Sequence, residues 1–192
     1  MAMAAWGDSL VGGASGQIPF PTSLSALIGE SVYNGGVGGE TSTQIRTRFL
    51  ADSTHNGGFV LIWAGRNNYT APTVVKADLA AMVAALPHSR YLVLSIPNGE
   101  FPNEYRGQPD YATMMQLNAD IAALYPNNYI DIRAYLVSQF NPGSPQDVID
   151  HGHDIVPSTL RIDQIHPTTA ANVLIANQVY AWMQSHGLAR VS

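Results

Sequence analysis

The chain has 192 residues, of which 46% are hydrophobic and only 12% charged, and its formal net charge is −5. That length suits a single domain over residues 1–192 with a core large enough to need no staple, and the scarce charge excludes a coiled coil or a charge-rich disordered chain. The acidic balance, without a basic stripe, speaks against nucleic acid as a partner, and the absence of cysteine excludes a disulfide framework, a thiolate metal site and a Cys nucleophile.

The chain begins almost on Trp6, which suggests that a natural N-terminal segment was removed or that Met1-Ala2 is a cloning remainder. Its first residues are not expected to be a signal peptide, and with no apolar run of membrane-spanning length no membrane span is expected. Residues 3–6 form a short apolar strand that runs into Gly7-Asp8-Ser9-Leu10. In an open α/β sheet, ligands bind beyond the carboxyl ends of the strands. There, either Ser9 projects its hydroxyl into the crevice, or Asp8 and Ser9 merely cap the next helix.

A short strand is expected at 31–33, followed by a glycine-rich turn, Asn34-Gly-Gly-Val-Gly-Gly, and then Glu40-Thr41. Glycines let backbone N–H groups approach a ligand, and a helix over 41–50 would aim its free N–H groups at the same point. A phosphate loop fits poorly, because no lysine follows the glycines. A mobile loop without function is the other reading. Residues 59–64 are a continuous apolar run that ends in Gly65-Arg66-Asn67-Asn68. A side-chain amide there is placed to donate to an oxyanion, although Gly and Asn also make ordinary turns.

Further apolar strands are expected at 90–96 and 129–133. Helices are expected at 72–86, 110–125 and 168–186, each with apolar residues at three- and four-residue steps. Alternating strands and helices argue for an open three-layer α/β/α fold with a parallel sheet. Residues 141–157, rich in Pro, Gly and Asp, are expected to form one long surface loop. Within it, the run Asp150-His151-Gly152-His153-Asp154 is either a polar loop, the favoured reading, or a cation site.

The last motif is Asp163-Gln164-Ile165-His166-Pro167, with Pro167 expected to start the final helix. Its spacing lets the Asp163 carboxylate hold the imidazole Nδ1–H and leave Nε2 free as a base. The other histidines, at 55, 88, 151, 153 and 186, are expected to lack such a carboxylate outside the 150–154 stretch. Together the motifs gather a nucleophile, oxyanion donors, a base and an orienting acid on one rim of the sheet. Those are the parts that acyl transfer to water requires.

The motifs in this order resemble the SGNH/GDSL hydrolase family, from Trp6 to the last helix. The resemblance implies a flavodoxin-like five-stranded sheet of order 2-1-3-4-5. It implies Ser9 as nucleophile, His166 as base and Asp163 as its partner. It also implies an oxyanion hole from the N–H groups of Ser9 and Gly39 and the Asn67 amide, with Asp8 and Asn68 in support. Gly39 is preferred to Gly38 because the family's glycine precedes an acid and a threonine, here Glu40-Thr41. The family usually has an acid where this chain has Asn68. Residues 156–161 resemble a variant found in carbohydrate-directed and phage or bacterial surface members.

The expected activity is hydrolysis of a small acyl ester, an O-acetyl group on a carbohydrate or polysaccharide, with no metal or cofactor. The alternatives are an aryl or short-chain lipid esterase or thioesterase, and a non-catalytic glycan-binding module of the same fold. Aromatic residues in or near the motif loops (Trp6, Tyr33, Trp63, Tyr69, Phe101, Tyr105 and Tyr111) are candidates for stacking on sugars, with core packing favoured for Trp6 and Trp63. Composition suits an extracytoplasmic setting.

Overall fold

The computed structural model describes residues 2–188. Of the expected Met1-Ala2 remainder, Met1 lies outside the described residues. Five parallel strands form the sheet: β1 (Met3–Gly7), β2 (Val32–Gly36), β3 (Phe59–Trp63), β4 (Tyr91–Leu94) and β5 (Tyr129–Ile130), in the order β2-β1-β3-β4-β5. The helices are α1 (Ser9–Gly12), α2 (Phe20–Ile28), α3 (Ser42–Ala51), α4 (Pro72–Ala84), α5 (Pro109–Leu124), α6 (Ile132–Ser138), α7 (Pro145–His153) and α8 (Thr169–Ser185). This is the expected three-layer arrangement.

Every residue of β1 and β3 is buried, because helices cover both faces of the sheet. Alternate residues separate into two cores. Met3, Ala5, Phe59, Leu61 and Trp63 pack against α1, α2, α6 and α8. Ala4, Trp6, Val60 and Ile62 pack against α3, α4 and α5. Trp6 and Trp63 are therefore core residues and offer no ring to a sugar.

Four sequence expectations need correction. Strand β2 lies further along than expected and takes in Asn34, Gly35 and Gly36, whose backbones pair in register with Ala5, Trp6 and Gly7. Glycine is required at position 36, because a Cβ there would sit 2.0 Å from the Gly12 nitrogen. The run 129–133 yields only two strand residues: the Asp131 side chain accepts from Ala134 N–H and starts α6 instead. The 141–157 stretch is not a loop but carries α7, capped by Ser144 and tied inward by the buried carboxylates of Asp147 and Asp150. Pro167 does not start α8: Thr168 caps that helix, and Pro167 forms an isolated antiparallel bridge with Arg161.

Candidate active site

The carboxyl ends of β1, β2 and β3 open on a cleft of about 550 Å³ lined by Ser9, Leu10, Gly38, Gly39, Arg66, Asn67, Tyr69, Phe101, Ile165 and His166. The two readings of the first motif are both realised, by different residues. Asp8 caps α1, its Oδ1 accepting from Leu10 N–H at 2.9 Å. Ser9 lines the cleft, and its Oγ lies 2.8 Å from His166 Nε2.

His166 is held from the other side. Its Nδ1 is 2.7 Å from Asp163 Oδ2, while Asp163 Oδ1 accepts the N–H groups of Ile165 and His166 at 2.9 and 2.8 Å. With Nδ1 protonated toward the carboxylate, Nε2 is left to accept the Ser9 proton. Burial pushes the Asp163 carboxyl up, but the N–H groups of His166 and Ile165 and the His166 ring outweigh it, and the net displacement is below the ordinary carboxylate value.

Gly39 adopts φ +78°, and its N–H has no hydrogen-bond partner among the described residues. The Asn67 amide is engaged: Nδ2 donates to the Glu40 carbonyl at 2.9 Å and, at a longer 3.3 Å, to Asp8 Oδ2. Asn68 ties this turn to the start of α3, accepting from Ser42 N–H at 3.0 Å and donating to Ser42 Oγ at 2.9 Å. Buried Asp78 of α4 accepts from Ser42 Oγ at 2.6 Å and pairs with Arg46 at 2.7 Å. Asp8 is 1% exposed, and burial raises its pKa to about 6 against the opposing pull of Leu10 N–H, Arg66 and His166.

One sequence expectation fails at this level. Asp52 and His55 repeat the Asp-x-x-His spacing, with Nδ1 2.8 Å from Oδ2 and Asp52 Oδ1 accepting from Thr54 and His55 N–H. The carboxylate–imidazole pair is thus a local structure that four residues can make. What sets His166 apart is tertiary: Ser9 reaches its Nε2, whereas the His55 ring stacks on Tyr33 at 3.6 Å. The 150–154 run holds no cation cage. Asp150 pairs with Arg161 and Asp154 with Arg133, and no group of three His, Cys, Asp or Glu among the described residues is placed to hold a metal ion.

Sequence reading missed the ion pairs that brace the cleft. Arg66 pairs with buried Glu104, which also accepts from Tyr69 Oη and Gly99 N–H. Arg161 donates to the Asp163 carbonyl and to the carboxylates of Glu100 and Asp150. The available signal was the rarity of cations in this chain, which makes each one a candidate for a specific tie.

The parallel 2-1-3-4-5 sheet defines the class, a flavodoxin-like α/β fold, and a hydroxyl, an imidazole and a carboxylate stand in line at its C-terminal rim. The chain belongs to the GDSL-like lipase/acylhydrolase family, whose model matches residues 4–174. Solved structures share the fold at low identity. A lipase/acylhydrolase from Enterococcus faecalis is 14% identical with a TM-score of 0.71, over 96% of this chain and 95% of that one. An acetylxylan esterase from Geobacillus stearothermophilus is 17% identical with a TM-score of 0.69, over 99% and 96%. A lipolytic G-D-S-L family member from Veillonella parvula is 15% identical with a TM-score of 0.65, over 92% and 94%. No curated protein sequence matches the chain. Among the described residues no helix is long and apolar enough to cross a membrane.

Proposed function

We propose that the chain is a serine esterase that removes a small acyl group, an O-acetyl ester on a carbohydrate, through an acyl-enzyme on Ser9. The observation that carries this reading is the continuous line Ser9 Oγ, His166 Nε2, His166 Nδ1, Asp163 Oδ2, with contacts of 2.8 and 2.7 Å. His166 takes the Ser9 proton as Oγ attacks the ester carbonyl, and Asp163 stabilises the imidazolium that results. The tetrahedral oxyanion is held by the N–H groups of Ser9 and Gly39 and by the Asn67 amide. Asn67 reaches it by giving up its longer contact, the one to Asp8. His166 then protonates the leaving alcohol, and water activated by the same base releases the acid.

The test is an acyl-length series of aryl esters run beside acetylated glycans. Acetylated xylan comes first, since two of the proteins that share the fold are acetylxylan esterases. Ser9→Ala and His166→Ala should each lower kcat by about 10⁴-fold or more, and Asp163→Ala by less. Asn67→Ala should cost about 10²–10³-fold. Undiminished ester hydrolysis by Ser9→Ala would refute the reading. Release of long acyl chains in preference to acetate would move the assignment to a lipid esterase.

A further inference from the structure

The three oxyanion donors stand on three separate segments, and one ion pair joins all three. Ser9 follows β1, Gly39 ends the glycine-rich turn after β2, and Asn67 lies beyond β3. The turn is weakly held by its own backbone. Gly38 and Gly39 impose no conformation of their own, and the bond that closes the turn, from Glu40 N–H to the Val37 carbonyl, is 3.4 Å long. The Glu40 side chain, by contrast, is clamped. Arg48 Nε donates to both Glu40 carboxylate oxygens at 2.9 Å, and Arg48 Nη2 donates to Oε2 at 2.5 Å. Nε–H and the Nη2 hydrogens share one edge of the guanidinium, a side-on grip that fixes the carboxylate in orientation as well as in place.

Arg48 lies in the second turn of α3. Helical side chains lean toward the helix N-terminus, so Arg48 reaches back to the turn that precedes its own helix. There it also meets the sheet. Nη2 donates to the Gly35 carbonyl of β2 at 3.0 Å and, at a longer 3.4 Å, to the Gly7 carbonyl at the end of β1. That Gly7 carbonyl accepts Val37 N–H at 3.1 Å as well, and Gly7 stands two residues before Ser9. The guanidinium carbon lies 5.4 Å from the ring centre of buried Trp6. Glu40 completes the connection, because its own carbonyl takes the shorter of the two Asn67 amide contacts, at 2.9 Å.

We propose that the Arg48–Glu40 pair positions the oxyanion hole, setting the Gly39 N–H and the Asn67 amide relative to Ser9. The proposal rests on the esterase reading above and adds the residues that keep its donors in register. Neither Arg48 nor Glu40 lines the cleft, so both are positioning residues that touch no reacting atom. Charge develops on the ester oxygen only as the tetrahedral state forms, so a displaced donor weakens that state more than the bound substrate. The loss therefore falls on kcat, and KM is kept. A tie that served stability alone would lower the melting temperature and leave the kcat of the folded enzyme unchanged.

Steady-state hydrolysis of 4-nitrophenyl acetate should be compared for the intact chain, Ser9→Ala, Arg48→Met and Arg48→Lys, with both Arg48 changes also made beside Asn67→Ala. Arg48→Met should lower kcat about 10²-fold, the cost of about 1 Å of misplacement, and keep KM within about twofold. Arg48→Lys keeps the charge but serves one acceptor at a time, so its kcat should fall between. With Asn67 already truncated, Arg48→Met should cost about tenfold less, because part of what it misplaces is gone. A kcat equal to the intact chain's, a loss confined to KM, or an equal loss in both backgrounds would overturn the positioning role and leave the esterase reading standing. Hydrolysis that Ser9→Ala leaves undiminished would overturn that reading and this proposal together. Arg48→Met strands the Glu40 carboxylate, whose side chain is 14% exposed. If that variant does not fold, Glu40→Gln, which keeps the shape and loses one of the paired oxygens, makes the same comparison, with kcat again the constant that falls.

Discussion

Asp8 is a carboxyl group that the fold prefers uncharged. Burial dominates the N–H of Leu10 and the charges of Arg66 and His166, so its pKa rises from the ordinary 3.8 to about 6. For an acid, a raised folded-state value means that stability is complete below about pH 4 and is lost as pH climbs through about 6. At about 1.4 kcal/mol per pKa unit, the ionised form costs about 3 kcal/mol at neutral pH. Asp8→Asn removes that titration. In urea unfolding, the stability of the variant relative to the parent chain should improve by about 3 kcal/mol between pH 4 and pH 8. A difference that stays constant with pH would show that Asp8 does not carry the charge penalty. The comparison is insensitive to a fixed mismatch between the new amide and Asn67, because such an offset does not titrate. In the free cleft Asp8 Oδ2 accepts the second Asn67 N–H, at 3.3 Å.

At the level of elements, the His166 loop is held like a hairpin. Arg161 bridges to Pro167, Ile162 N–H donates to the His166 carbonyl at 2.9 Å, and Glu100 N–H donates to the Gln164 carbonyl at 2.8 Å. The Arg161 guanidinium, with 4% of its side chain exposed, joins this loop to α7 through Asp150 and to the segment after β4 through Glu100. Replacing Arg161 by Met strands the buried Asp150 carboxylate, at a cost of about 3–5 kcal/mol. It also frees the Asp163 carbonyl. Arg161→Met should therefore melt well below the parent chain by calorimetry, and at temperatures where it is still folded it should lose kcat more than KM. A variant with the parent's kcat would show that the loop holds its own geometry. The sequence makes β1 and β3 legible as continuous apolar runs, and the long helices legible because apolar residues recur at three- and four-residue steps. It hides α7, whose inward face carries Asp147 and Asp150 where a periodic pattern would need apolar residues. Those carboxylates are satisfied by Ser158, Thr159 and Arg161, all distant enough in sequence to leave no local trace. The same holds for the cleft: Ser9, Asp163 and His166 stand in recognisable motifs, whereas the Arg66–Glu104 pair spans 38 residues and carries no motif.

Across the whole molecule, the scarcity of charge becomes an internal feature. The chain has nine Lys and Arg residues, and Arg46, Arg48, Arg66, Lys76, Arg106, Arg133 and Arg161 all pair with carboxylates. Arg66, Arg133 and Arg161 are mostly buried, and their pairs tie loops around the sheet's C-terminal rim. Burial acts first on Asp147, Asp154 and Asp163, but hydrogen bonds from Thr159, Tyr111 and His166, among others, outweigh it and leave each carboxyl below the ordinary range. For these groups the stabilisation is present above the unfolded value and is lost as pH falls through the lower folded one. Asp8 acts in the opposite sense and costs stability as pH rises through about 6. The two trends meet near the ordinary carboxylate value, so the melting temperature should peak at about pH 4 and decline on both sides, with the alkaline loss nearly complete a little above pH 6. A melting curve series from pH 3 to pH 8 at constant ionic strength checks this, and a Tm that climbs steadily to pH 8 would contradict it.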